Sequence, residues 1–384
     1  MKNLVKSVQT NSSRFSMRAR VFSLSVSLFV ILLGVSAAFA QTKSEDEEIR
    51  VETDLIEVPF VVSDRAGKPI LNLKKENFLV YEDGQLQKLT DFSASSAPFE
   101  VALVLDTSGS TLAELPLIQR AAQNFISSLR AGDRVSIIAY RAQRDGGKAN
   151  ALTEVIVPLT SDRTVLSEGL NKVQTSFGTP YYDSLVQAAE NVFREPPSEQ
   201  FRGRRALVAL TDGVDSTSIT DFDEAKELIE KTGAAAYFIK VDTREYFEEN
   251  LLGDCSLSKR FSQSQMRRYY RRFENAKLEK TSNFCELGDF ERLAISKKLY
   301  ELADGEMDQL AKGSGGRVFP IADLSEARLA FKKVADEIGT KYSLGYYSSN
   351  EKRDGTYRKI KVEVKGLPSG AQIRAREGYT APSN

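Results

Sequence analysis

Two unbroken apolar runs, Val101-Ala102-Leu103-Val104-Leu105 and Ala206-Leu207-Val208-Ala209-Leu210, constrain the fold more than any other feature of the chain. Runs of this length bounded by turn formers predict strands covered on both faces, and strands of that kind belong to parallel sheets. After the first run, Ile118, Ala121, Ala122, Phe125, Ile126 and Leu129 recur at the spacing of one helix face. Further strand patterns at Val135–Tyr140, Glu154–Val157 and Ala236–Ile239 alternate with helical patterns near 162–173, 179–193 and 221–232. Such alternation predicts an α/β chain with a doubly wound, Rossmann-like, mostly parallel sheet.

In an open α/β sheet, ligands bind outside the carboxyl ends of the strands. Asp106-Thr107-Ser108-Gly109-Ser110 follows the first run and Thr211-Asp212-Gly213 the second, while Gly178-Thr179-Pro180 opens a helical pattern. Taken singly, each loop reads as ordinary caps and turns. Together they offer Asp106, Ser108, Ser110, Thr179 and Asp212, a set of oxygen donors only. Such donors suit a hard cation such as Mg²⁺, which takes near-octahedral oxygens at about 2.0–2.1 Å.

In these residues the chain resembles the von Willebrand factor type A domain and its metal-ion-dependent adhesion site, over about residues 98–342. The resemblance implies that Ser108 and Ser110 ligate the ion directly and Thr179 directly or through water. It assigns Asp106 and Asp212 to coordinated water, with Mg²⁺ (or Mn²⁺ or Ca²⁺) as the ion. It also implies an open position for an Asp or Glu carboxylate of a protein partner. By analogy with integrin-type A domains, the final helix (about 323–341) would slide on ligation and pull on the β-patterned flank beyond Tyr342.

Composition narrows the chemistry. The chain has no histidine, which removes Ser-His-Asp and Cys-His nucleophilic catalysis and imidazole zinc sites. No Walker-type loop and no nucleophile with an identifiable base is present, so no enzyme is expected. A metal-dependent hydrolase and a structural envelope scaffold with a vestigial metal site are the alternatives. The first 40 residues hold five of the 53 Lys/Arg and none of the 53 Asp/Glu, so the remainder carries a net charge of −5. Nucleic acid is not an expected partner of so mildly acidic a protein.

Residues 1–40 read as an export signal, with a basic start, the apolar Val21–Val35, and Ala38-Phe39-Ala40 as a small-x-small cleavage site. The expected location is periplasmic or extracellular; an uncleaved helix anchoring the chain is the alternative. Residues 41–50 are polar and read as a disordered linker. Residues 51–97 and 343–384 are β-patterned flanks, the latter with strand patterns at Tyr342–Tyr347, Tyr357–Val364 and Ile373–Tyr379; each flank has too few strands to stand alone, so they are expected to pair into one small all-β module. The segment from Asp64 to Gly84 is similar to that preceding the A domain in an exported A-domain-related bacterial family widespread in Acidobacteria.

Between Val241 and the helical pattern at Met307–Ala311 lie roughly 60 residues, too many for a structureless connection in a compact domain. This insertion (about 243–300) leaves a strand's carboxyl end and is therefore expected on the metal face. It holds the only cysteines, Cys255 and Cys285, which in an exported protein predict one disulfide, with two buried thiols as the alternative. Arg267, Arg268, Arg271 and Arg272 interleave with Met266, Tyr269, Tyr270 and Phe273 at helical spacing. One reading is a helix with a packed face and a solvated basic face. The other is a docking surface for an acidic partner, an anionic polysaccharide or a membrane surface.

Overall fold

The computed structural model describes residues 55–94, 96–109, 114–145, 148–274 and 284–383; the expected export signal and linker lie outside them. In chain order, β1 (Leu55–Ser63), β2 (Phe78–Glu82), β3 (Gln85–Leu86) and β4 (Leu89–Ser93) form the N-terminal flank. The α/β domain comes next with β5 (Glu100–Leu105), α1 (Leu115–Ser128), β6 (Arg134–Asp145), β7 (Lys148–Thr160), α2 (Arg163–Lys172), α3 (Tyr181–Gln187), β8 (Arg205–Thr211), α4 (Phe222–Lys231) and β9 (Ala235–Val241). The insertion supplies α5 (Arg244–Glu249), α6 (Gln263–Tyr269) and the start of α7 (Asp289–Ser314). After β10 (Arg317–Ile321) and α8 (Ala327–Gly339), the C-terminal flank contributes β11 (Tyr342–Tyr347), β12 (Tyr357–Val364), β13 (Gln372–Ala375) and β14 (Gly378–Thr380).

The central sheet has the order β10-β9-β8-β5-β6-β7, with every pairing parallel except β6 to β7. Every residue of β5 and β8 is buried, as their apolar runs require. Alternate side chains serve opposite faces. Val101, Leu103 and Leu105 pack with Phe125 of α1, Leu166 of α2 and Phe331 of α8. Ala102 and Val104 pack with Tyr181 and Leu185 of α3, Ile229 of α4 and Met307 of α7. The doubly wound class is therefore what the sequence predicts. Two strands are longer than predicted: β6 and β7 continue as an antiparallel pair through Arg141–Asp145 and Lys148–Thr153, where polar residues hide the strand pattern.

The two flanks interleave, strand by strand. β11 lies between β1 and β4 in the sheet β13-β1-β11-β4, and β12 lies between β14 and β2 in the sheet β14-β12-β2-β3. Phe60, Phe78 and Tyr342 meet between the sheets, with ring centroids 5.0–5.7 Å apart. The flanks thus pair into one module, as expected. The stretch Ile373–Tyr379, predicted as a single strand, is split between the two sheets at Arg376-Glu377. Buried Arg376 turns the chain there by donating to Gly378 O (2.8 Å) and Glu230 O (3.2 Å).

Both passages between the module and the α/β domain lie at the amino ends of the central strands. Buried Arg204, just before β8, donates to the Ala97 carbonyl (2.6 Å) on one passage and to the Lys341 carbonyl on the other. Arg130 donates to Gly339 O at the end of α8 (2.7 Å). Lys341 Nζ donates to Gly315 O beyond the end of α7 (3.0 Å).

Candidate metal centre

The Asp106 loop leaves β5 between β8 and β6, the two strands that pair with it. Side chains alternate along it. Thr107 is fully buried and ties the loop to β6, its hydroxyl donating to Tyr140 O and accepting from Tyr140 N (both 3.2 Å). Asp106 and Ser108 are turned the other way, and the Asp106 carboxylate accepts from Ser108 N (3.0 Å) and from Thr211 Oγ1 (2.7 Å). Thr211 closes β8 immediately before Asp212 and also accepts from Gly213 N (3.0 Å), so one hydroxyl ties the Asp106 loop to the Asp212 loop. Gly109 runs close to the next loop: a Cβ there would sit 3.4 Å from Ser176 O. Ser110 lies outside the described residues.

Thr179 comes in from that next loop. Ser176 N donates to Thr107 O (2.8 Å), joining the Thr179 loop to the Asp106 loop. Thr179 N donates to Ser216 Oγ (2.8 Å) and Thr179 O accepts from Ser216 N (2.9 Å), joining it to the Asp212 loop. Gly178 is required here, because a Cβ would come within 2.5 Å of the Thr217 side chain. Three loops from separate parts of the chain therefore converge at the carboxyl edge of β5 and β8. Among the described residues, Asp106, Ser108 and Thr179 are buried and Asp212 is partly exposed.

Residues beyond the sequence-predicted set complete the surroundings. The Asp212 carboxylate accepts from the Thr243 hydroxyl and from Val214 N (2.9 Å), and Tyr300 Oη lies 2.9 Å from Thr243 Oγ1. Asp215, almost fully buried, accepts from Ser218, from Tyr182 N (3.3 Å) and from Arg268 Nη2 (3.0 Å). Thr211 was foreseeable, as its hydroxyl stands one residue from Asp212. Thr243, Tyr300 and Arg268 belong to the insertion and its helix, and no spacing in the sequence ties them to the loops they meet.

Charge is unbalanced at this edge. Burial raises the Asp106 carboxyl above the ordinary carboxylate range, against the hydrogen bonds from Thr211 and Ser108 that lower it. Burial also raises Asp212, and the neighbouring Asp106 charge adds to the rise. Among the described residues, only hydroxyl and N–H donors offset these two acids, whereas Asp215 has the Arg268 guanidinium. Two adjoining carboxylates beside hydroxyls, with a cleft of about 280 Å³ opening along Asp106, Ser108 and Asp212, fit a divalent cation by donor chemistry and by charge.

Residues 101–214, a stretch that spans all five sequence-predicted metal residues, match the family model of the von Willebrand factor type A domain. The chain carries a von Willebrand factor type A domain. No curated protein matches the chain. Among solved structures, the conserved hypothetical protein BatB of Bacteroides thetaiotaomicron is similar at 18% identity, covering 62% of this chain and 98% of that one (TM-score 0.37). A von Willebrand factor type A protein of Catenulispora acidiphila is similar at 12% identity over 87% of this chain and 75% of its own (TM-score 0.40). Proximal thread matrix protein 1 of the mussel byssus, solved with a zinc-occupied MIDAS motif, is similar at 12% over 63% of this chain and 48% of its own (TM-score 0.38).

The insertion has its own small core, in which Leu251, Phe261, Met266, Tyr269, Leu287 and Ile295 pack with Val214 of the A domain. Cys255 and Cys285 form a disulfide with Cα atoms 5.3 Å apart. The basic run divides. Met266, Tyr269 and Tyr270 face this core, while Arg267, Arg271 and Arg272 are exposed. Arg271 pairs at the surface with Asp221 (3.2 Å). Arg268, expected with them on the docking face, turns inward onto Asp215 and lies over the Tyr182 ring at 4.6 Å.

Proposed function

We propose that the protein is an exported, divalent-metal-dependent binding module whose A domain captures an acidic group of a protein partner. The observation that carries this reading is the meeting of the Asp106, Thr179 and Asp212 loops at one edge of the sheet, with Asp106 and Asp212 side by side and no basic side chain paired with either among the described residues. In this reading Ser108, Ser110 and Thr179 hold the ion, with Asp106 and Asp212 acting through its coordinated water. Mg²⁺ is the ion best suited to such donors, with Mn²⁺ or Ca²⁺ as substitutes. Bound there, the ion supplies Lewis acidity toward an incoming carboxylate. Because the nearest donors are neutral hydroxyls, much of its attraction is left for that group. The chain's own residues fix the loops: Thr107 anchors the first, Thr211 spaces Asp106 from Asp212, and Ser216 holds the Thr179 backbone.

The basic, apolar and Ala-x-Ala sequence of residues 1–40 supports export to the periplasm or beyond. Mn²⁺ binding measured by electron paramagnetic resonance tests the metal. The wild type is expected to bind and Asp106→Ala to lose binding by at least about 100-fold, with unchanged circular dichroism in EDTA. Pull-down from envelope extract, run in Mg²⁺ and in EDTA with both proteins, tests the partner. Equal Mn²⁺ affinity of the two proteins, or a partner retained equally in EDTA, would refute the reading.

A further inference from the structure

An insertion at the carboxyl edge of the sheet is expected to frame the approach of a partner. Its contacts point inward instead. Arg268 of α6 donates from Nη1 to the Asp215 carbonyl (3.2 Å) and from Nη2 to the Asp215 carboxylate (3.0 Å), so it grips both backbone and side chain of one residue. The residues on either side of Asp215 each touch a candidate metal residue. Val214 N donates to Asp212 Oδ1, and Ser216 brackets Thr179 through both its hydroxyl and its N–H. Val214 also has its side chain in the insertion's core. From the other end of the insertion, Thr243 binds the second Asp212 oxygen and is itself met by Tyr300.

We propose that the insertion is a clamp on the metal centre, and that Arg268 is the positioning residue through which it holds the Asp212 and Thr179 loops in register. This rests on the metal-binding reading of the site. The physical reason is that ligand positions set by one loop are only as fixed as that loop. Segment 212–218 has no regular secondary structure to hold it, so its rigidity comes from the groups gripping it. Arg268 is the charged one, its side chain only 18% exposed and its partner Asp215 fully enclosed. The planar guanidinium can reach a carbonyl and a carboxylate at once, which an ammonium group cannot do with the same geometry. The Tyr182 ring beneath it fixes the plane, and Tyr182 N binds the remaining Asp215 oxygen. The disulfide ties the segments on either side of α6 to each other, so the clamp is closed covalently at its base.

The test uses the full chain and Mn²⁺ alone, read by electron paramagnetic resonance, with melting in EDTA as the measure of folding. Groups that support metal ligands without touching the metal change affinity by about 10–100-fold when removed. Arg268→Met is therefore expected to weaken Mn²⁺ binding at least about tenfold. Arg268→Lys, which keeps the charge but only one of the two contacts, is expected to restore part of that loss at an EDTA melting temperature close to wild type. Wild-type affinity in both variants, each folded, would overturn the clamp and leave the metal reading standing. If Arg268→Met does not fold, Arg268→Lys decides alone: a loss of about threefold or more supports the clamp, and wild-type affinity overturns it. Failure of the wild type to bind Mn²⁺ would overturn both.

Discussion

At the carboxyl ends of its strands the central sheet holds Asp106, Asp212 and Asp215; near the amino ends it holds Arg204, Lys341 and Arg376. The two sets meet different surroundings. Burial lowers Arg204 to about 10, with Arg130 adding to the fall, and it lowers Lys341 and Arg376 as well. Yet each cation reaches backbone carbonyls: Arg204 those of Ala97 and Lys341, Lys341 that of Gly315, and Arg376 those of Gly378 and Glu230. Several of these carbonyls lie where helices end, so the cations also meet the negative poles of helix dipoles. Among the described residues, Asp215 at the acidic end is matched by Arg268, while Asp106 and Asp212 are supported by neutral donors alone. One end satisfies its buried charge from within the chain; at the other, the proposed metal ion would supply the balancing charge. The proposed binding edge and the structural junction differ, then, in which buried charges the chain itself answers.

The sharpest way to break this contrast is at the junction. Arg204→Met leaves the Ala97 and Lys341 carbonyls without their donor, and at 1–3 kcal/mol for each group it should cost about 4 kcal/mol of stability. Urea unfolding would measure it, and Mn²⁺ affinity should not change. A change in affinity would mean the two ends are coupled. At the acidic end the sign reverses. Asp106→Asn should lower Mn²⁺ affinity about 100-fold, equivalent to about 2.7 kcal/mol, while its melting temperature in EDTA holds or rises because the buried member of two adjoining carboxylates has lost its charge.

Glu57, at the junction, is the exception that sharpens the rule. Burial raises it to about 7, against the Gly203 N–H and Arg205, which lower it. The folded state thus keeps its proton between the unfolded value of 4.5 and about 7, so stability falls as pH rises through that window and the penalty is complete above it. Glu57→Gln should raise stability on the order of 2 kcal/mol at pH 8 and change it little at pH 4. Denaturation at the two pH values would measure this, and an equal effect at both would show that Glu57 is not the titrating group. The smallest effect is expected at the surface. Arg271→Glu breaks an ion pair whose side chains are 70% and 68% exposed and should leave stability within about 0.5 kcal/mol. If it also abolishes capture of an acidic partner, the exposed arginines are part of the docking surface; unchanged capture removes them from it.

Much of this architecture was legible in the sequence, and the reason is local. The runs at Val101–Leu105 and Ala206–Leu210 state their burial without reference to anything distant, and the loops after them are fixed by where those strands end. The pairing of the two flanks was legible because neither has enough strands alone. The features that could not be read depend on partners far along the chain. Arg268 looks like its neighbours in a basic run, and only Asp215, 53 residues earlier, turns it inward. Ile373–Tyr379 reads as one strand because nothing in its pattern announces that Arg376 bonds to Glu230 and turns the chain between sheets. The polar stretch after Tyr140 hides an antiparallel arm whose pairing, not its side chains, makes it a strand.

The bridge made by Arg204 has a mechanical consequence. The chain enters the A domain beside Ala97 and leaves it beside Lys341, and one guanidinium spans both crossings. The strands outside them, β4 and β11, are neighbours in the same ladder. Drawing the two crossings apart would therefore have to unzip that ladder from its domain end and break both contacts of that side chain. The loops of Asp106, Thr179 and Asp212, at the far rim, lie off the load path.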